Sequence, residues 1–97
     1  MNELDKIKKI LKKNKLVLKK EFNIKELGIF GSYVRGEQKK NSDVDILVEF
    51  RETPGFFNYL KMENRLGRLL NKRVDLVMKD ALKPAIGRHI LSEVIYV

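Results

Sequence analysis

Asn41-Ser42-Asp43-Val44-Asp45-Ile46-Leu47-Val48-Glu49-Phe50 contains the clearest strand in the chain. Val44, Ile46, Val48 and Phe50 alternate with Asp43, Asp45, Leu47 and Glu49. A period of two puts the first set on one face of a sheet and the second on the other. Asp43 and Asp45 therefore share a face, with Cα atoms about 6.6 Å apart at a rise of about 3.3 Å per residue. Like charges so placed repel, and aspartate is a poor strand former. The pair reads either as the solvent face of an edge strand or as the seat of a cation that removes the repulsion. Mg²⁺ takes oxygen ligands of this kind.

Upstream, Leu27-Gly28-Ile29-Phe30 is a short apolar run and reads as a buried strand ending at Gly31. Ser32 to Gly36 then forms a tight turn or one helical turn. Glycine lets a phosphate approach the backbone with no Cβ in the way. If a helical turn starts at Ser32, its free N–H groups and hydroxyl point at that phosphate. The same dipeptide is also ordinary turn chemistry. Ser42 is expected to cap the turn before the central strand.

Downstream, Thr53-Pro54 predicts a helix start, with a hydroxyl at the N-cap and proline at the first helical position. Phe56/Phe57, Leu60, Leu66 and Leu69/Leu70 carry that amphipathic helix to about Asn71. The two phenylalanines are expected at the core, although neighbours cannot both fit one narrow stripe, which leaves one for a protein interface. Arg73-Val74-Asp75-Leu76-Val77 reads as a third strand. An acid inside a buried run needs a partner, either Arg73 or a nearby lysine, or a metal. If this strand lies beside the Asp43–Asp45 strand with its acid on the same face, three carboxylates meet. They could then hold two Mg²⁺ roughly 4 Å apart, an arrangement suited to in-line displacement at phosphorus. A short helix is expected from Pro84, carrying Ile86, Ile90 and Leu91, and Val94 to Val97 add a last strand or dock.

At the other end, Leu4, Ile7, Ile10/Leu11, Asn14 and Val17/Leu18 recur at helical spacing over about 3–20. Residues 1–25 hold nine lysines against three acids, within a net charge of +8. This reads as a phosphate-attracting arm or as the solvated face of a lysine-rich helix; no aromatics interleave to stack on bases. The 97 residues leave room for one domain, 1–97. There is no cysteine, which excludes disulfides and thiolate metal sites. No signal-peptide pattern opens the chain and no apolar run approaches the roughly 20 residues of a membrane span. A cytoplasmic protein with no membrane contact is the expectation.

The string Phe30-Gly31-Ser32-Tyr33-Val34-Arg35-Gly36, then Asn41-Ser42-Asp43-Val44-Asp45-Ile46-Leu47-Val48-Glu49-Phe50, then Lys72-Arg73-Val74-Asp75-Leu76-Val77 resembles the minimal nucleotidyltransferase (MNT) proteins of the DNA polymerase beta-like superfamily. The likeness covers about residues 27–97. It implies an α/β (α+β) fold with a small mixed sheet of three to four strands and helices packed on one side. By the same resemblance Asp43, Asp45 and Asp75 would bind two Mg²⁺, with Asp75 also the candidate general base. Gly31 and Ser32 would hold the β- and γ-phosphates of ATP. Arg35, the arginine of the family's Gly-Ser-x-x-Arg-Gly string, would pair with phosphate or form a salt bridge to Glu37 or Asp43.

The implied chemistry is attack of a hydroxyl on the α-phosphorus of a nucleoside triphosphate, with release of pyrophosphate. Larger members carry a second domain for the acceptor, so here the acceptor is expected on a partner. In this family the partner is typically a HEPN-type ribonuclease toxin, with the MNT protein as its antitoxin in a hetero-oligomer. Some members transfer AMP to a toxin tyrosine. A non-catalytic antitoxin that only masks the toxin, and a basic nucleic-acid-binding module, are the competing readings. Tyr33 is expected to pack or to stack on a base, and His89 to lie at the surface.

Overall fold

The computed structural model describes residues 2–97. Helix α1 (Glu3–Phe22) leads into strand β1 (Ile24–Phe30), the single turn α2 (Ser32–Arg35) and strand β2 (Val44–Phe50). Helix α3 (Phe56–Leu70), strand β3 (Val74–Met78), a 3₁₀ turn (Lys79–Ala81), helix α4 (Pro84–Glu93) and the two-residue β4 (Ile95–Tyr96) follow.

Local chemistry explains these boundaries. The Asn2 side chain accepts the Asp5 N–H at 2.8 Å, and acids in the first turn suit the positive end of the helix. Asn23, at φ 56, ends α1 in the left-handed conformation. The chain reverses within that residue, so β1 begins at Ile24, earlier than the expected Leu27. Asn71 ends α3 in the same way, at φ 53. Pro84 opens α4 as expected.

Thr53-Pro54 does not cap α3. The N-cap is Gly55, with no side-chain hydrogen bond, and Thr53 lies beside Phe50 and Met78 at the end of the sheet. The late start also corrects the expectation for the phenylalanines. Phe56 and Phe57 fall in the first turn, ahead of the buried stripe Met62-Leu66-Leu70, and are 69% and 84% exposed. Val17 likewise lies outside the buried stripe of α1, whereas Leu18 lies within it.

The sheet order is β3-β2-β1-β4. β1 is antiparallel to β2 and β4, and β2 is parallel to β3. A parallel neighbour needs a crossover, which α3 supplies. Leu27 and Ile29 of β1, Val44, Ile46 and Val48 of β2, and Leu76 of β3 face α1 and α3. There they meet Ile7, Leu11, Leu18, Met62 and Leu66. The two long helices thus share one side of the sheet. The opposite face carries a smaller cluster of Phe30, Leu47 and Ile90, closed by the short α4. Gly28 makes that closure possible, because a Cβ there would come within 2.6 Å of Val94 Cγ2.

β3 lies at an edge, where unpaired backbone groups invite other strands. Helix α3 satisfies part of that edge from the side: Tyr59 donates its hydroxyl to the Leu76 carbonyl, and the Leu76 N–H donates to Glu63 Oε2 at 2.9 Å. Replacing Tyr59 with Phe should therefore lower unfolding stability by about 1 kcal/mol. Denaturant melts with an unchanged m-value would report it.

Candidate active site

The ladder between β2 and β3 sets Val44 opposite Val74 and Asp45 opposite Asp75. Residues opposite one another in a sheet lie about 4.8 Å apart with side chains on the same face. Asp45 and Asp75 are therefore lateral neighbours, on the side away from α1 and α3. On its other flank Asp45 pairs with Phe30, so Gly31 emerges directly beside it. Gly31 sits at φ 82, ψ −154, a conformation that favours glycine. Any Cβ at that position would overlap Asp45 Oδ2. The Asp45 carboxylate thus lies against the Gly31-Ser32 turn, with Ser32 opening α2 as expected.

Burial first, and then the neighbouring charges of Asp75 and Asp43, together push the Asp45 carboxyl up from 3.8 to about 6. Crowded negative charge of this kind marks a place where a cation would be stabilised. All the donors are carboxylate oxygens, the ligand type that suits Mg²⁺.

Asp43 is turned aside. Its Oδ1 lies 3.1 Å from Arg73 Nε, and both side chains are well exposed. Among the described residues, no three acidic or histidine side chains form a ready metal-holding cluster. An exposed pair of this kind contributes about 0–1 kcal/mol, so little opposes rotation of Asp43 toward its neighbours. The structure brings together Asp45, Asp75, Gly31 and Ser32, and leaves Asp43, one residue before β2, facing Arg73. Asp75 is exposed rather than buried: its strand is an edge, and among the described residues no helix covers that end of the face. The expected cost of burying it does not arise. Arg73, offered as its ion-pair partner, binds Asp43 instead.

Arg35 donates from Nε to Glu37 at 2.7 Å and from Nη1 to both oxygens of Glu93 at 2.9 and 3.0 Å. Its guanidinium is thus engaged by two carboxylates of its own chain, one of them the expected Glu37. Glu93 was not legible in sequence: it lies 62 positions from Gly31, whose N–H also donates to it. Tyr33 is buried in the main core with the Lys72 ammonium 5.8 Å from its ring, so it packs and does not offer a face to a base. His89 is exposed. Ser42 closes the preceding turn by accepting the Lys39 N–H at 2.8 Å. A groove of about 470 Å³ opens between Lys40–Ser42 and Asn71–Arg73, with three cations on its walls. Along α1, most of the lysines lie on the solvated face.

A carboxyl whose folded value is raised stabilises the fold below its unfolded value of 3.8 and loses that contribution as pH climbs through about 6. Asp45→Asn should therefore match the wild type in acid with a chelator present. Above pH 6 it should be more stable by about 1 kcal/mol, a figure discounted for partial solvation. Paired thermal melts across pH 3.5–8 would show the divergence.

The nucleotidyltransferase domain family model matches residues 4–97. Protein adenylyltransferase MntA from Thermococcus cleftensis is 50% identical over 97 residues, covering 100% of this chain and 98% of that protein. A solved structure provisionally named a minimal nucleotidyltransferase superposes with a TM-score of 0.75 at 30% identity, over 92% of this chain and 93% of the other. A toxin–antitoxin crystal structure with AMP-PNP gives 0.71 at 27% identity, over 99% of this chain and 72% of the other. Sequence and architecture agree: the chain belongs to the nucleotidyltransferase domain family.

Proposed function

We propose that this chain is a Mg²⁺-dependent protein adenylyltransferase that acts as the antitoxin of a HEPN-type toxin. It would work in the cytoplasm as a single domain, transferring AMP from ATP to a tyrosine hydroxyl of the toxin. The observation that carries this is the pairing of Asp45 with Asp75 beside a glycine turn that Asp45 itself touches. The adenylyltransferase name of the Thermococcus relative supports the reaction class, and the AMP-PNP complex supports ATP as donor.

In this reading Asp45 and Asp75, joined by a rotated Asp43, hold the metal ions. Bound Mg²⁺ would lower the pKa of the attacking hydroxyl and neutralise charge on the phosphates. Gly31 and Ser32 would hold the β- and γ-phosphates. Arg35 is shared between Glu37 and Glu93 and would reach those phosphates only by giving up one of them, so its main part is to keep the turn in place. Asp75, exposed on the edge strand, accepts the proton of the incoming tyrosine hydroxyl. The phenolic oxygen forms a bond to the α-phosphorus as the bond to pyrophosphate breaks. Positioning supplies much of the acceleration, because the reacting groups are held before the step begins.

Incubation of the protein with its toxin, α-labelled ATP and Mg²⁺ should place label on the toxin. Asp43→Asn, Asp45→Asn and Asp75→Asn should each cut that transfer at least about 100-fold, as removal of one preorganised charge-stabilising group does elsewhere. Mg²⁺ should raise the melting temperature of the wild type and not that of Asp45→Asn. A toxin that is inhibited but never labelled would instead show an antitoxin that only masks.

A further inference from the structure

Glu93, the last residue of α4, has a side chain only 13% exposed although it ends a surface helix. One of its oxygens, Oε2, accepts the N–H of Gly31 at 2.5 Å. The same carboxylate accepts from Arg35 Nη1 through both oxygens, and His89 Nε2 stands 3.4 Å away. Burial opposes ionisation, yet the Gly31 N–H and the Arg35 guanidinium outweigh it and hold the carboxyl below its ordinary value. Hydrogen bonds to an ionised acceptor are roughly twice as strong as neutral ones. Glu93 therefore grips the phosphate turn at two points, its first N–H and the arginine at its far end.

Helix α4 is itself anchored, since Ile90 packs with Phe30 and Leu47. Phe30 and Gly31 are consecutive, so the apolar contact and the carboxylate fasten the same bend from one helix. Gly31 adopts its positive φ within contact of Asp45. A turn free to relax there would shift the Ser32 hydroxyl relative to the acids.

We propose that Glu93 is a positioning residue of the transfer site, fixing the Gly31-Ser32 turn and Arg35 for the triphosphate and making α4 part of the active site. The proposal rests on the reading of that turn as the phosphate-holding element. Arg35, which Glu93 shares with Glu37, offsets part of the Glu93 charge, so a polyanion on the turn meets less repulsion than from a bare carboxylate.

The test uses the full chain with Glu93→Ala, Glu93→Gln and, as a control on the same helix, Ser92→Ala. Glu93→Ala should raise KM for ATP and the Kd for AMP-PNP about tenfold or more, the loss expected for a charged hydrogen bond. Glu93→Gln should fall between, because it keeps an acceptor for Gly31 and loses the negative charge that faces Arg35. Ser92→Ala should leave both constants unchanged. The Gly31 amide proton should resonate far downfield in the wild type and move upfield in Glu93→Gln, with or without nucleotide. Lowered melting temperature with wild-type constants would make Glu93 a stabilising residue only and overturn the proposal. Tighter AMP-PNP binding would also overturn it, since the carboxylate would then be a competitor of the phosphates. A wild type that binds no nucleotide would overturn the proposed function and this inference together; a binding wild type with an indifferent Glu93→Ala overturns this one alone.

Discussion

Two carboxylates that repel are held side by side by a backbone ladder, and the rest of the structure serves to keep that ladder in register. A slip of one residue between β2 and β3 would send Asp75 to the core face and Leu76 to solvent. Val44, Ile46 and Leu76 prevent the slip, because all three are buried on the opposite face from the acids. The crossover helix α3 reinforces it by binding Leu76 from the side through Tyr59 and Glu63. The alternation that marks β2 in sequence is thus also the device that aims Asp45.

The energies show why such a site can persist. Each fully buried Val, Leu or Ile contributes about 1.5–3 kcal/mol. The crowding at Asp45 costs on the order of 1 kcal/mol once its exposure is considered. A single well-packed residue such as Leu11 or Leu66 offsets it. The division of labour between the two faces follows: α1 and α3 build a dense core behind the sheet, while the front buries little and keeps its polar groups accessible. Placing the destabilised groups on the thin side leaves the main core intact and is the usual compromise between stability and activity.

The parts legible in sequence were those whose signal is local. Period-two alternation revealed β2, and the apolar runs around Gly28 and Asp75 revealed β1 and β3. The lysine-interleaved stripe revealed α1. A local signal misleads where it meets a tertiary constraint. Thr53-Pro54 has the chemistry of a helix start, but the chain turns at the end of the sheet before α3 begins. Phe56 and Phe57 look like core residues, yet they precede the first buried turn. Asp75 sits in an apolar run because its neighbours Val74 and Leu76 face inward, while its own face lies open at the sheet edge. Glu93 was beyond local reasoning. Only the fold brings a C-terminal acid to the N–H of a glycine in the first half of the chain.

The front face is asymmetric, and the asymmetry bears on how a transfer there would be organised. On the β1 side, α4 covers Phe30 and Leu47 and anchors the glycine turn through Glu93. On the β3 side, nothing among the described residues covers Asp75. A triphosphate seated on the turn would therefore meet a rigid, already ordered wall, while an acceptor would approach a carboxylate open to solvent. Such an arrangement suits a donor that is always the same small molecule and an acceptor too large to enclose. Rigidity on the donor side limits the entropy lost on binding. Openness on the acceptor side lets a protein surface complete the site, excluding water only when the partner has docked. The edge strand, a liability in most small sheets, becomes here the face at which the second macromolecule would arrive.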